Sequence, residues 1–307
     1  MNNIRKPIVV VGSVTMDMVT LTPRIPRRGE TVIGTGFGTT PGGKGANQAV
    51  AAARLGYPVH MVGNVGRDVY GPVLLDNLAR AGVSTTAMEK ADGPSGLAPI
   101  FLSESGENAI VVVPGANGKV DATLVDRHAN LIRSAGLVLC QLEIPMATIS
   151  HVLALCAEAD VPVMLDPAPA ASLPENIWRQ VAWFTPNETE AASYLKNTEE
   201  PPEVAAQQLL ERGLKGLVLK RGGEGSYVAV AGGKAAWVSA FKVEVIDTVG
   251  AGDCFNGAFA VGLLEGLDPC AAARFASAAA AISVSRRGAQ ASMPSRAKVE
   301  EFLAKHK

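Results

Sequence analysis

Residues 137–165 read LVLCQLEIPMATISHVLALCAEADVPVML. Two apolar runs, 137–139 and 161–165, flank a segment at 146–159 in which apolar residues recur every three or four positions. Short unbroken apolar runs are typical of strands that are buried on both faces, and the three- and four-residue spacing is typical of a helix. This order of strand, helix and strand predicts a parallel βαβ unit.

The same alternation continues in both directions from this stretch. Further strand patterns lie at 8–11, 59–62, 183–185 and 217–219, and further helix patterns lie at 45–55, 69–81, 122–133 and 202–212. Because strands and helices alternate strictly, we expect an α/β fold with a doubly wound, mostly parallel sheet flanked by helices. We expect residues 1–307 to form a single domain.

Two segments break the alternation and predict a second, small sheet. Residues 16–41 have strand-like alternation without a helical period, and residues 94–113 contain two strand patterns, 98–102 and 109–113. Ligands of such α/β folds bind at the carboxyl ends of the parallel strands, so a small β-sheet inserted twice there would form a lid. The alternative is an oligomerisation flap without ligand contact, and one sheet could serve both purposes.

Composition and charge narrow the class of protein. Charged residues make up 19% of the chain and hydrophobic ones 48%, a balance that is inconsistent with disorder. The formal net charge of -1 removes the long-range attraction that nucleic acid or an anionic membrane would require. The four cysteines are dispersed, and no signal peptide or membrane-spanning run is evident. We therefore expect a cytoplasmic protein that binds a small molecule.

A glycine-rich run, DTVGAGD at residues 247–253, leads into a helix pattern. Gly250, Ala251 and Gly252 lack obstructing side chains, so their N–H groups and the helix dipole predict an anion-binding site. Asp253 follows at once, and such an Asp can simply cap a helix or complement its dipole. Phosphoryl transfer, however, needs both charge stabilisation and an acceptor for the proton of the attacking hydroxyl. We therefore predict that Asp253 is that acceptor.

A second glycine-rich run, PGGKGANQA at residues 41–49, also precedes a helix. Residues 38–44 match the spacing of a P-loop, but Gly45 stands where the Mg²⁺-binding Ser or Thr is required, so we reject a P-loop. Lys44 and Asn47 offer donors suited to the hydroxyl groups of a ligand. A purely structural turn is the alternative.

Two further segments leave a structural and a functional interpretation open. Asn187 and Glu190 follow a strand pattern and have the spacing of a capping box, but Glu190 could also act on a hydrated Mg²⁺. Residues 221–225, RGGEG, either form a hairpin turn or face a nucleotide.

The motifs together resemble the PfkB carbohydrate kinase family, and most of all its ribose-phosphorylating branch. Four elements carry the resemblance in order along nearly the whole chain, at 12–17, 42–53, 185–190 and 247–257. The resemblance implies a ribokinase-like fold and the ATP-dependent phosphorylation of a primary hydroxyl, with D-ribose and D-ribose 5-phosphate as the expected substrate and product. It also implies Mg²⁺ with ATP, activation by K⁺, and a homodimer formed through the lid sheet.

The resemblance also implies roles for individual residues. Asp253 would accept the proton of the sugar hydroxyl, and the amides of Gly250, Ala251 and Gly252 would stabilise the γ-phosphoryl group. The sugar would be bound by Thr15, Asp17, Gly42, Gly43, Lys44, Asn47, Glu143 and Asp253. ATP would lie against Asn187, Lys220, Gly222, Gly223, Gly225, Gly252 and Ser277. Glu190 would act on Mg²⁺ through water, and K⁺ would be bound by Asp247, Val249, Ser283, Arg286, Gly288 and Ser292.

Departures from the family pattern keep the substrate open. Thr15 stands where Asn is usual at the sugar, Lys220 where Thr is common at the nucleotide, and Ser277 where His is frequent. Deoxyribose, fructose, 2-keto-3-deoxygluconate and nucleosides therefore remain alternatives to ribose. A non-catalytic sugar sensor would require a damaged catalytic set, but Asp253 and the glycine-rich run before it are intact. A nicotinamide oxidoreductase would require a Gly-x-Gly-x-x-Gly turn at residues 12–17, and the sequence has no such turn there.

Overall fold

The computed structural model describes residues 5–195 and 200–306; residues 1–4, 196–199 and 307 of the predicted single domain lie outside the described part. Its strands are β1 Ile8–Val11, β2 Thr15–Thr22, β3 Gly36–Gly42, β4 Val59–Gly66, β5 Val83–Ala91, β6 Gly96–Ser103, β7 Asn108–Ile110, β8 Leu137–Gln141, β9 Val163–Asp166, β10 Trp183–Phe184, β11 Gly216–Lys220, β12 Gly225–Val230 and β13 Ala235–Ser239. Its α-helices are α1 Lys44–Arg54, α2 Tyr70–Arg80, α3 Ala122–Arg127, α4 Ala129–Arg133, α5 Met146–Glu158, α6 Glu188–Ala192, α7 Pro202–Glu211, α8 Ala251–Leu264, α9 Pro269–Val284, α10 Ala289–Ser292 and α11 Arg296–Lys305.

The larger sheet confirms the predicted doubly wound α/β fold. Its nine strands have the order β13-β12-β11-β10-β9-β8-β1-β4-β5, and the pairs from β11 to β5 are all parallel. At the other end of the sheet, β12 pairs in the antiparallel sense with both β11 and the edge strand β13. The central strand β1 is buried along its whole length, as its unbroken run of β-branched residues predicts.

Two helix layers cover this sheet. Along β1, Ile8 and Val10 pack in the layer formed with α1, α8 and α9, whereas Val9 and Val11 pack in the layer formed with α3, α4 and α5. Successive side chains of a strand point to opposite faces, so each face of β1 fills one core. No described helix is long and apolar enough to span a membrane.

The second sheet has four strands in the order β3-β2-β6-β7, drawn from the two segments that break the alternation. β2 pairs with β3 in the antiparallel sense and with β6 in the parallel sense. Thr15, where β2 begins, lies opposite Gly42 of β3 and Gly96 of β6. The root of the second sheet therefore lies directly before α1, which begins at Lys44.

Two predicted elements differ from the structure. The helix pattern at 122–133 forms two helices, α3 and α4, because the backbone leaves the helical region at His128, with φ −110° and ψ 15°. The strand pattern at 109–113 gives only the short β7. Val111 N donates to Pro99 O, but Pro99 has no N–H to donate in return, so the ladder is interrupted there.

Candidate active site

Asp253 lies in the first turn of α8 and is 6% exposed. Its carboxylate accepts hydrogen bonds from Asn47 Nδ2 at 2.9 Å and from Gln48 Nε2 at 3.2 Å. Burial raises the pKa of Asp253 to about 6, with Lys44 lowering it and the negative charge of Asp166 raising it further. The carboxylate is therefore more basic than an ordinary Asp and is held in place by two amide donors, as a general base requires.

Two of the three residues predicted to bind an anion leave their amides available in the structure. Gly250, the residue before α8, has a left-handed backbone with φ 73°, and no side chain caps the helix. Ala251 N donates to Thr248 O at 3.2 Å, whereas the amides of Gly250 and Gly252 find no acceptor in the described part of the chain. Because Gly252 is also exposed, an anion can approach this end of α8.

Lys44 lies at the start of α1 among acidic side chains. Burial alone would lower the pKa of its ammonium, but the negative charges of nearby carboxylates outweigh it and raise that pKa; they belong to Asp253, Asp166, Glu143 and Glu190. Lys44 is therefore a fixed positive charge within electrostatic range of Asp253.

The root of the second sheet brings Asp17 to the same region. Thr15 Oγ1 donates to Asp17 Oδ1 at 2.9 Å, so Thr15 orients the carboxylate. A Cβ on Gly43 would lie 2.8 Å from Thr15 N and the backbone there has φ 90°, so this position requires glycine. A Cβ on Gly42 would lie 2.2 Å from Asp17 Oδ2 and would displace that carboxylate. Burial raises the pKa of Asp17 to about 6, and the charge of Glu143 adds to the increase.

Glu143 follows β8 and contacts the start of α1. Its Oε2 accepts hydrogen bonds from Ser13 Oγ at 2.5 Å and from the backbone N–H of Lys44 at 2.9 Å. A carboxylate at a helix N-terminus is stabilised by the helix dipole. Glu143 thus joins the sheet to α1, and the residues predicted to bind a sugar lie together between the second sheet and Asp253.

Four polar side chains that the sequence-based site did not include form a network around Asp253. Gln48 Nε2 also donates to Asp166 Oδ2 at 2.9 Å, Gln141 Nε2 donates to Gln48 Oε1 at 2.8 Å, and Gln290 Nε2 donates to Asn47 Oδ1 at 3.0 Å. Gln141 and Asp166 are the last residues of the buried strands β8 and β9. Polar residues at the carboxyl ends of neighbouring parallel strands are the signal that could have identified them.

A cavity of about 430 Å³ opens beside the N-terminus of α8. Apolar side chains, among them Phe241, Val245 and Phe255, form part of its lining. Six of the seven residues predicted to contact ATP also line it: Lys220, Gly222, Gly223, Gly225, Gly252 and Ser277. The seventh, Asn187, forms a parallel bridge with Lys220. The cavity is thus apolar on one side and lies against the amides of α8 on the other.

The residues predicted to act on metal ions lie in two places. Glu190 forms a complete capping box with Asn187, whose N–H donates to Glu190 Oε2 at 2.8 Å. The two residues therefore cap α6, as one of the two interpretations of this segment predicts. Burial raises the pKa of Glu190, which lies within electrostatic range of Lys220, Asp166 and Lys44. The carboxylate is therefore also near the site.

For K⁺, Asp247 accepts hydrogen bonds from the backbone N–H groups of Val249 at 3.0 Å and Gly288 at 2.8 Å. The hydroxyls of Ser283 and Ser292 lie 2.6 Å apart and are buried. Hard cations prefer carboxylate, hydroxyl and carbonyl oxygens as ligands, and the residues predicted to bind K⁺ offer all three kinds of oxygen. Arg286, the remaining predicted position, can contribute only its backbone carbonyl, because its side chain is cationic.

Comparison with known proteins identifies the family of this chain. Residues 5–296 match the model of the "pfkB family carbohydrate kinase". The chain is 45% identical to a ribokinase of Bacillus subtilis over 298 residues, covering 97% of this chain and 99% of that protein. It is 35% identical to a deoxyribokinase of Salmonella typhi over 302 residues, covering 97% and 98%.

Solved structures agree as well. A ribokinase of Arabidopsis thaliana complexed with ribose and ATP superposes with a TM-score of 0.93 at 35% identity, covering 98% of this chain and 99% of that one. A ribokinase of Thermotoga maritima gives a TM-score of 0.90 at 38% identity, covering 97% and 99%. The chain therefore belongs to the pfkB family of carbohydrate kinases.

Proposed function

We propose that this chain is an ATP-dependent sugar kinase that converts D-ribose to D-ribose 5-phosphate. The observation that carries the proposal is the position of Asp253, a buried carboxylate with a raised pKa directly after the open amides of α8. The amides border the cavity that suits a nucleotide, and Asp253 borders the polar residues that suit a sugar. The sugar hydroxyl that accepts the phosphoryl group and the ATP that donates it can thus meet at the Asp253 carboxylate.

The proposed reaction uses these groups as follows. The O–H bond of the primary hydroxyl breaks, and its proton passes to the Asp253 carboxylate. The hydroxyl oxygen forms a bond to the γ-phosphorus of ATP while the bond from that phosphorus to the bridging oxygen breaks and ADP leaves. The Gly250 and Gly252 amides stabilise the charge on the group in transfer, and Lys44 adds a positive charge close to the base.

The polar residues around Asp253 favour a sugar with several hydroxyl groups. Asp17 and Glu143 offer acceptors, and Lys44 and Asn47 offer donors, within one small region. Ribose presents a 2-hydroxyl that deoxyribose lacks, and a site built to bind a hydroxyl rejects an analogue without it. The 45% identity to a ribokinase, against 35% to a deoxyribokinase, supports the same choice. Fructose, 2-keto-3-deoxygluconate and nucleosides are the remaining candidate substrates.

The proposal includes two cations. Mg²⁺ would accompany the phosphates of ATP, with Glu190 held near them by its capping box and acting through water. K⁺ would be held beside the start of α8 by Asp247 and the oxygens of Val249, Ser283, Arg286, Gly288 and Ser292. Such a cation would fix the loop that presents Gly250 and Gly252.

We also propose that the second sheet acts as a lid and joins two copies of the chain. Val19, Leu21, Ile100 and Ile110 lie on the same face of this sheet as Asp17, by the strand registers. Leu21 is 43% and Ile110 is 52% exposed, so this face carries apolar surface that a second copy would cover.

We propose a cytoplasmic location. All four cysteines are free, three of them buried, which suits a reducing compartment. ATP, the proposed phosphoryl donor, is used there.

A coupled assay of ADP release tests the function. The protein is supplied with ATP, Mg²⁺ and K⁺ and, one at a time, ribose, deoxyribose, fructose, 2-keto-3-deoxygluconate and nucleosides. We expect the highest kcat/KM with ribose, and a product whose phosphate is on O5 by NMR. No sugar-dependent ADP release with any of these acceptors would contradict the proposal, and a preference for another acceptor would reassign the substrate.

A further inference from the structure

Lys220 and Asp166 form an ion pair in the interior of the site. Lys220 ends β11 and Asp166 ends β9, the two strands that flank β10, and Lys220 Nζ lies 3.0 Å from Asp166 Oδ1. The two side chains are only 13% and 3% exposed. Removing two charges from water costs about as much as their attraction returns, so a pair at this depth is weak evidence for a purely stabilising role.

The ammonium of Lys220 lies beside the open end of α8. Its Nζ is 3.5 Å from the point that a Cβ on Gly252 would occupy, and Lys220 lines the cavity beside α8. A phosphate that extends from this cavity towards Asp253 would therefore pass between the Gly252 amide and this ammonium. A positive charge and an amide donor that converge from two elements suit the terminal phosphate of a nucleoside triphosphate.

Asp166 links this ammonium to the base. Its Oδ2 accepts a hydrogen bond from Gln48 Nε2 at 2.9 Å, and the same nitrogen donates to Asp253 Oδ1 at 3.2 Å. Asp166 and Gln48 are 2% and 1% exposed, so water competes little with these contacts. A single amide group therefore holds the ion pair and the base at a fixed separation.

We propose that Lys220 donates to the γ-phosphoryl group of ATP and that Asp166 is a positioning residue, which holds this ammonium in line with Asp253 through Gln48. This inference rests on the proposed kinase function. Its consequence is specificity for the triphosphate: ADP lacks the group that Lys220 contacts, so Lys220 contributes to the binding of ATP and not to that of ADP.

Nucleotide binding by calorimetry, without turnover, tests the first part. The probes are the non-hydrolysable β,γ-imido analogue of ATP, and ADP, each with Mg²⁺. In Lys220→Met we expect the analogue to bind about tenfold more weakly, as the loss of a charged hydrogen bond implies, and ADP to change by less than about twofold. Equal weakening of both nucleotides, or no change in either, would overturn the role of Lys220.

Lys215→Met is the matched control. Lys215 is exposed and precedes β11 at the end opposite to Lys220, so the same substitution there should leave both affinities unchanged. If Lys215→Met gave the same selective loss as Lys220→Met, a general charge effect would replace the specific contact.

A double-mutant cycle in steady-state kinetics tests the role of Asp166. Asp166→Asn keeps the shape and an acceptor for Gln48 but loses the charge that holds Lys220. We expect Lys220→Met to lower kcat by about 10²-fold with an unchanged KM for the sugar. We expect Asp166→Asn to lower kcat by about tenfold. Loss of the Asp166 charge also makes Asp253 less basic whether or not Lys220 is present, so we expect the kcat of the double variant to be lower than that of Lys220→Met by much less than tenfold.

Costs that multiply in the double variant would overturn the positioning role, because a merely structural contribution of Asp166 would persist without Lys220. The cycle also separates this inference from the proposed function. If the wild-type protein releases no ADP with any sugar, the proposed function fails. If the wild-type protein releases ADP with a sugar but the costs of the two substitutions multiply, only this inference fails.

Discussion

At the scale of single residues, the site depends on how the protein sets the basicity of one carboxylate. Burial raises the pKa of Asp253 and Asp166 raises it further, whereas Lys44, Asn47 and Gln48 lower it. The net pKa of about 6 leaves the group ionised at neutral pH yet a better proton acceptor than an ordinary Asp, whose pKa is near 4.

The pH dependence of activity follows from this shift. Asp253 accepts a proton only when it is ionised, so kcat/KM for the sugar should fall as the pH falls through about 6 rather than through about 4. Asp17 also has a pKa of about 6 and would titrate in the same window. A pH profile of Asp17→Asn separates the two: an acid limb near pH 6 should persist, and its loss would assign the limb to Asp17.

The sequence allowed Asp253 to be predicted, but not its neighbours Gln48 and Asp166. Asp253 follows the predicted anion site directly in the chain, so that prediction needed only local sequence, and the role of Asp253 as the base stays a prediction. Gln48 and Asp166 lie near Asp253 only because α1 packs on α8 and β9 lies in the middle of the sheet. Such contacts between residues more than a hundred positions apart depend on the tertiary structure.

At the scale of secondary-structure elements, the distance between α1 and α8 decides whether Gln48 and Asn47 reach Asp253. A Cβ on Gly257 would lie 2.6 Å from Ala51 Cβ and 2.7 Å from Gln48 O, so the two helices are in contact where Gly257 has no side chain.

We therefore expect Gly257→Ala to separate these helices. It should destabilise the protein by about 1–3 kcal/mol, as overpacking does, and should lower kcat by displacing Gln48 from the base. Thermal unfolding and steady-state kinetics measure the two effects. Gly118→Ala is the control, because Gly118 is exposed and a Cβ there would meet only Pro114 Cβ, at an ordinary contact distance of 3.5 Å. Equal behaviour of the two variants would contradict this account of the helix contact.

The loop before α8 carries the proposed K⁺ site. Asp247 already fixes the N–H groups of Val249 and Gly288, and a cation there would hold the loop more firmly. We expect higher kcat in K⁺ than in Na⁺ at matched ionic strength, and a smaller difference in Asp247→Asn. Equal rates of the wild-type protein in the two salts would count against the site.

The order and type of the central elements could be predicted from the sequence, because buried parallel strands are unbroken apolar runs. The break at His128 and the shortened β7 could not, since the first lies within a continuous helical pattern and the second depends on the register that places Val111 against Pro99. The second sheet was predicted, and its strands are confirmed; its action as a lid stays a prediction.

At the scale of the whole molecule, a chain with a net charge of -1 can bind a polyphosphate because its positive groups are local. Lys44 acts on the carboxylates of Asp253 and Asp166, Lys220 pairs with Asp166, and α8 begins beside Asp253, although the overall charge provides no attraction.

Light scattering tests the dimer. We expect a mass of about twice the 31.8 kDa of one chain. A charge in the exposed apolar face, as in Leu21→Glu, should shift the mass towards one chain, whereas a charge at the exposed Val69, outside the second sheet, should not. A wild-type protein with the mass of a single chain would contradict the dimer.

The most direct test of the central claim is the turnover of Asp253→Asn with ribose and ATP, measured beside its affinity for ribose. The Asn side chain keeps the size of Asp and cannot accept the proton as a carboxylate does. We predict a loss of about 10²-fold or more in kcat, with ribose still bound by a folded protein. Near-normal turnover of the folded variant would contradict the claim that Asp253 is the base.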